Sequence, residues 1–208
     1  MQKFNFDENI YQKVADQVQV YDGCYDDRFV LEVDEQTDRI PYTLTNIANR
    51  TTYPYGNKGS HKLIGSHLFD RKDEYNVVNK CPGDILKLYV HAINSVIECP
   101  NGNKGINAEL QSISVNAQSM GQDGTPHIDG RFNSNERTLM YFANSKWDKE
   151  WGGPFQILDP DTKDVIKEID FVPGRLIYFD CGLLHRGLAP EAVSYIYRKS
   201  IVFRIKIR

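Results

Sequence analysis

A chain of 208 residues is long enough for one domain with a substantial core, and its 40% apolar and 25% charged residues are an ordinary globular balance that excludes general disorder. The formal charge of -3 argues against a broad nucleic-acid footprint, although Arg198, Lys199, Arg204, Lys206 and Arg208 crowd the final segment. MQKFNFDENIYQKVADQ lacks an apolar signal core, no stretch approaches a membrane span, and Cys24, Cys81, Cys99 and Cys181 have no zinc-ribbon spacing, so we expect a cytoplasmic protein with reduced thiols and no membrane association.

Residues 8–19 carry Ile10, Val14 and Val18 at helical spacing, with Asp7 available as a cap, and predict a short amphipathic helix. From Val20 to about Thr52 the pattern is broken, and Phe29, Leu31 and Val33 alternate as in a strand. Residues 53–81 are rich in Gly, Asn, Lys and His and read as a long loop, a candidate lid facing a substrate. The clearest helix covers 83–98, where Ile85, Leu88, Tyr89, Ala92, Ile93 and Val96 recur at intervals of three and four behind Pro82. Pro100 and the NGNKG run stop it.

Strands are predicted at 109–119, 137–143, 154–158, 164–171, 174–180 and 198–207, divided by turns bearing Gly, Asn, Asp or Pro. Strands do not alternate with full helices, which counts against a doubly wound α/β sheet and points to a sandwich or jelly roll. The expected organisation is a single domain over 1–208, mainly β with packing helices. Helical and loop elements in 1–108 would pack on a β core at 109–208.

The chemistry concentrates around His127-Ile128-Asp129. An extended backbone sends His127 and Asp129 to one side and Ile128 to the other, so two metal ligands can leave one edge together. PGRLIYFDCGLLH then predicts a strand, a glycine turn and His185 beyond it. Two imidazoles and one carboxylate form the set that holds a non-haem ferrous ion with positions left open. The isolated triplet is a common surface pattern; its combination with His185 and Arg198-Lys199-Ser200 is what gives it weight. His61, His67 and His91 lack that context, and His91 reads as a packing or surface residue of the helix.

In 198–207, Ile201, Phe203, Ile205 and Ile207 form one face, while Arg198, Ser200, Arg204 and Lys206 point the other way, interrupted by Val202. Arg198 and Ser200 suit a small carboxylate. Arg204 and Lys206 read as a solvated strand end. In 109–119, Ser112, Ser114, Asn116 and Gln118 alternate with Ile113, Val115 and Ala117, as in a strand lining a wet cavity or in a solvent-facing edge strand. Asn116 and Gln118 are therefore candidate cosubstrate ligands. Tyr141 is a further candidate, with its hydroxyl set against a carboxylate, and core packing is its competing role.

QDGTPHIDG, RTLMYFANSKWDKEWGGPFQILDP, PGRLIYFDCGLLHRGLAP and YRKSIVF together resemble the Fe(II)/2-oxoglutarate-dependent oxygenase superfamily, nearest its prolyl 4-hydroxylase-like branch. The resemblance covers roughly 109–207 and implies a double-stranded β-helix, the jelly roll of cupin-like proteins. It implies His127, Asp129 and His185 as metal ligands and Arg198, with Ser200, as the 2-oxoglutarate clamp. It also implies O2 as cosubstrate, ascorbate as a candidate reductant, and hydroxylation of a C–H bond in a peptide, with prolyl side chains foremost, or in a small molecule. One departure matters: prolyl hydroxylases generally clamp 2-oxoglutarate with a lysine, whereas Arg-x-Ser is the arrangement of other branches. Trp147, Trp151 and Gly152-Gly153 would lie near the site mouth, in packing or in substrate contact. The rival reading is a cupin-like metal or small-ligand binding protein without redox turnover. A structural zinc ion would want a fourth protein ligand, and none is evident near the motif.

Overall fold

The computed structural model describes residues 8–47, 62–71, 81–99, 102–191 and 196–208. Among these residues, ten strands form two antiparallel sheets that face one another. They are β1 (Gln19–Tyr21), β2 (Thr43–Ile47), β3 (Lys62–Asp70), β4 (Ala108–Gln118), β5 (Glu136–Phe142), β6 (Phe155–Leu158), β7 (Val165–Ile169), β8 (Leu176–Asp180), β9 (His185–Gly187) and β10 (Arg198–Ile207). The larger sheet runs β1-β8-β5-β10-β4-β3-β2, and the smaller runs β7-β6-β9. This is the double-stranded β-helix.

Among the described residues, three α-helices pack on this frame: α1 (Glu8–Asp16), α2 (Asp27–Asp38) and α3 (Gly83–His91), the last continuing into a π-helical turn over Ala92–Val96. None is long and apolar enough to cross a membrane. Strand alternation divides the apolar residues of the large sheet between two cores. Leu139, Tyr141, Ile201, Phe203 and Ile205 join Val33, Ile85 and Leu88 of the helices in the outer core. Met140, Phe142 and Val202 face inward, where Phe155, Ile157 and Phe179 meet them together with Tyr11 and Ala15 of α1. The functional residues lie on this inner face.

Two expectations for the N-terminal half require correction. Residues 27–38 are a helix and not a strand: the Asp26 side chain accepts the Phe29 N–H at 2.8 Å as an N-cap. Val30, Val33 and Thr37 are buried at helical spacing, whereas Leu31, part of the apparent alternation, is 45% exposed. The loop reading of 53–81 fails at residues 62–70, which form β3 and pair antiparallel with β4. The remainder of that proposed lid, apart from residues 71 and 81, lies outside the described residues.

Candidate metal centre

The segment carrying His127 and Asp129 extends the small sheet. The His127 N–H donates to the His185 carbonyl and the His185 N–H to that of His127, each at 3.0 Å. Beside this bridge, Asp129 and Gly130 both donate their N–H groups to the Cys181 carbonyl, at 2.8 and 3.0 Å. The backbone ladder, not a flexible loop, thus brings the side chains together. One ligand atom from each of His127, Asp129 and His185 lies within 4.8 Å of the others.

Their hydrogen bonds prepare these atoms for a cation. Nδ1 of His127 lies 2.9 Å from the Thr125 carbonyl, and Nδ1 of His185 lies 2.9 Å from that of Leu183. A carbonyl only accepts, so each Nδ1 carries the proton and each Nε2 keeps a lone pair. Nε2 of His127 sits 3.9 Å from Asp129 Oδ1, and Nε2 of His185 sits 3.7 Å from Oδ2. Burial, followed by the neighbouring His127 ring, pulls His185 down to about 4, so its imidazole is neutral near pH 7. Burial raises Asp129, but His185, His127, Arg204 and a hydrogen bond from Thr138 outweigh it and hold the carboxyl below its ordinary range.

Thr138 explains how the carboxylate is aimed. Its hydroxyl donates to Asp129 Oδ2 at 2.8 Å and lies 3.3 Å from Cys181 Sγ. Burial pushes the Cys181 thiol up to about 12. The protonated thiol can donate to Thr138, leaving the threonine proton for Asp129. Two imidazoles and one carboxylate can hold a divalent ion and leave ligand positions vacant. Among the described residues, no other group of three or more His, Cys, Asp or Glu side chains meets this geometry.

Arg198 lies on the inner face of β10 and is 2% exposed. Its Nε donates to the Gly153 carbonyl at 2.7 Å and its Nη1 to Gln118 Oε1 at 2.9 Å. The guanidinium carbon stands 5.1 Å from the ring centroid of Phe142 and 4.8 Å from that of Phe171. Among the described residues, its Nη2 is buried without a hydrogen-bond partner. Burial pulls this guanidinium down to about 9, yet it remains a cation at neutral pH. A buried cation with a spare donor calls for an anionic ligand.

Glycines make room for this arginine. A Cβ on Gly187 would come within 3.2 Å of Nη1 and 3.3 Å of Nη2; one on Gly153, at φ +74°, would stand 3.1 Å from Arg198 Cδ. Trp147 holds the Gly152-Gly153 turn by donating its indole N–H to the Gly152 carbonyl at 3.0 Å, and its ring lies against Phe171. Packing is therefore the role seen for Trp147, which supports the turn that caps Arg198.

The other sequence candidates divide. Gln118 faces the site, but its carbonyl holds Arg198 and its amide donates to the carbonyls of Gln122 and Gly187 at 2.9 and 3.0 Å. It positions the arginine, in place of the cosubstrate contact suggested by sequence. Ser200 and Asn116 are opposite one another in the β10–β4 register, on the same face as Arg198. Tyr141 does not come to the site. It pairs with Ile201 on β10, belongs to the outer core and stacks edge-on against Tyr25 at 5.7 Å. Strand parity placed it on the opposite face from Thr138, Met140 and Phe142.

Residues 113–205 match the family model described as the 2OG-Fe(II) oxygenase superfamily. The match covers 93 residues, a little under half of the chain. Among solved structures, it is similar to an oxidoreductase of the 2OG-Fe(II) oxygenase family from Burkholderia pseudomallei, with 16% identity, a TM-score of 0.61, and coverage of 97% of this chain and 92% of that one. A Trichoplax adhaerens prolyl hydroxylase, solved in complex with a hypoxia inducible factor oxygen degradation domain peptide fragment, matches with 16% identity, a TM-score of 0.57, and coverage of 96% and 90%. SnoN, a non-haem alpha ketoglutarate dependent epimerase from nogalamycin biosynthesis, matches with 13% identity, a TM-score of 0.59, and coverage of 97% and 84%. No curated protein sequence matches the chain. The matched family is one of oxygenases that use iron, 2-oxoglutarate and O2. At these identities the solved structures speak for the fold.

Proposed function

We propose that this protein is an Fe(II)- and 2-oxoglutarate-dependent oxygenase that hydroxylates an unactivated C–H bond of an amino-acid-type substrate, either a peptide side chain, prolyl among them, or a free amino acid. His127, Asp129 and His185 would hold Fe(II), and Arg198 would receive the distal carboxylate of 2-oxoglutarate. Bound there, the pair supplies oxidising power from O2 as 2-oxoglutarate is converted to succinate and CO2 and an oxygen atom enters the substrate.

The observation that carries this reading is Arg198 Nη2, a buried guanidinium donor left without a partner near the triad. A dicarboxylate answers both the charge and the unfilled hydrogen bond. Phe142 and Phe171 exclude water around Arg198, which strengthens its attraction for the anion. Thr138 fixes the Asp129 carboxylate, while the Thr125 and Leu183 carbonyls fix the two imidazole tautomers. No residue need act as a general acid or base.

The peptide complex of the Trichoplax enzyme is one precedent for an amino-acid-type substrate. Succinate formation tests the reading: purified protein with Fe(II), 2-oxoglutarate and O2 should release succinate slowly alone and faster with a true substrate. Asp129→Ala should release none above background. Succinate formed equally by wild type and Asp129→Ala would contradict the assignment, and a tightly bound metal without turnover would favour the cupin-like binding protein.

A further inference from the structure

A second arginine flanks the triad on the side away from Arg198. Arg204 shares the inward face of β10 with Arg198, six residues along the same strand, or about 20 Å. It pairs in register with Thr138, the residue that holds Asp129. Its Nη2 lies over Gly130, next to Asp129 in sequence: a Cβ on Gly130 would stand 3.2 Å from it. The same added atom would be 2.6 Å from Glu136 Oε2, so a cation and an anion converge on one small patch beside the metal centre.

Arg204 makes no side-chain hydrogen bond or ion pair among the described residues. Among the described residues, Glu136 Oε2 accepts one long hydrogen bond, from the Arg131 N–H at 3.3 Å. Both line an open cleft of about 180 Å³ together with Asp70, Gln111, Ser112 and Cys181. Arg204 lowers the Asp129 carboxyl through its charge alone, which leaves its guanidinium N–H groups available to a ligand in the cleft. A purely anionic molecule would meet Glu136 and Asp70, and a purely cationic one would meet Arg204. A molecule carrying both charges satisfies both sides.

We infer that this cleft is the primary-substrate site and takes a free amino acid, with Arg204 binding the carboxylate and Glu136 facing the ammonium group. This inference rests on the proposed oxygenase function and narrows its substrate. Arg204 acts there as a specificity-determining residue, and the oxidised carbon lies a few bonds from the carboxylate because Gly130 and Asp129 are adjacent.

The test uses Mn(II)-loaded protein under argon, first titrated with 2-oxoglutarate by calorimetry and then with each of the common free amino acids, their C-terminal amides and their N-acetyl derivatives. At least one free amino acid should bind, with its amide and its N-acetyl form each weaker by about tenfold or more. Arg204→Gln and Glu136→Gln should each weaken that amino acid by about tenfold or more while leaving 2-oxoglutarate affinity within about twofold, and Arg204→Lys should recover part of the loss. Lys206→Gln, an exposed charge change on the same strand, should have no effect. Normal 2-oxoglutarate binding with no amino acid bound, or with amides and N-acetyl forms bound equally well, overturns the inference and spares the oxygenase reading. Unchanged amino-acid binding by Arg204→Gln also overturns it. Failure of wild type to bind 2-oxoglutarate removes both.

Discussion

Replacing Arg198 by methionine should separate cosubstrate binding from folding. Methionine keeps an apolar stem between Phe142 and Phe171 and deletes the guanidinium. The variant loses the hydrogen bonds to the Gly153 carbonyl and Gln118 Oε1, worth about 1.5–3 kcal/mol each for a charged donor. Wild type, however, keeps a guanidinium out of water, at a cost of roughly several kcal/mol. The two effects oppose, so the metal-free variant should unfold within about 2 kcal/mol of wild type. Binding has no such offset. Deleting one side of a buried charge pair costs about 2–5 kcal/mol, or roughly thirtyfold to several thousandfold in the Kd for 2-oxoglutarate. Calorimetry on Mn(II)-loaded protein and urea unfolding of the metal-free protein measure the two quantities separately. An Arg198→Met protein that binds 2-oxoglutarate as tightly as wild type, or that loses more than about 4 kcal/mol of stability, would refute this reasoning.

Thr138→Val removes the donor to Asp129 Oδ2 at nearly constant volume and should weaken Fe(II) or Mn(II) binding by about 10- to 100-fold, measured by equilibrium dialysis; unchanged metal affinity would show that Asp129 is aimed without it. Gly187→Ala places a methyl group against the Arg198 guanidinium and should raise the 2-oxoglutarate Kd by about tenfold or more, with metal affinity preserved, in the same calorimetric titration. The Asp22–Arg175 pair predicts a pH dependence. Hydrogen bonds from Arg175, at 2.7 Å to each carboxylate oxygen, hold Asp22 below its ordinary value of 3.8. A depressed folded-state pKa contributes stability above the unfolded value that is lost as pH falls through the folded one. Asp22→Asn should therefore cost about 1 kcal/mol or less at pH 7, by urea unfolding, and progressively less below pH 3.8.

The β core was largely legible because its periodicity is local. Ile201, Phe203, Ile205 and Ile207 alternate without a break, and β10 runs over Arg198–Ile207 as that pattern requires. The triad was legible as three residue types in order, and the His127–His185 bridge supplies the proximity that spacing alone could not. Misreadings arose where two periods fit the same residues or where register decides. Phe29, Leu31 and Val33 alternate, yet Val30, Val33 and Thr37 fit a helix equally well, and the Asp26 cap decides in its favour. Tyr141 was placed near the cosubstrate because it follows the motif, but its pairing with Ile201 turns it to the outer core. Arg204 was read as a solvated strand end, although it has the same strand parity as Arg198. That parity was the available signal; Thr138 opposite it and Gly130 beneath it come only from the fold.

The central claim is that His127, Asp129 and His185 hold Fe(II) beside a 2-oxoglutarate site ending at Arg198. Anaerobic absorption spectroscopy tests it most directly, with 2-oxoglutarate added to the protein after one equivalent of Fe(II). A visible metal-to-ligand charge-transfer band should appear in wild type and be absent in His127→Ala and Asp129→Ala, and Arg198→Met should require a much higher 2-oxoglutarate concentration to develop it. A wild-type protein that binds iron but gives no such band, or a band that persists in Asp129→Ala, would contradict the account.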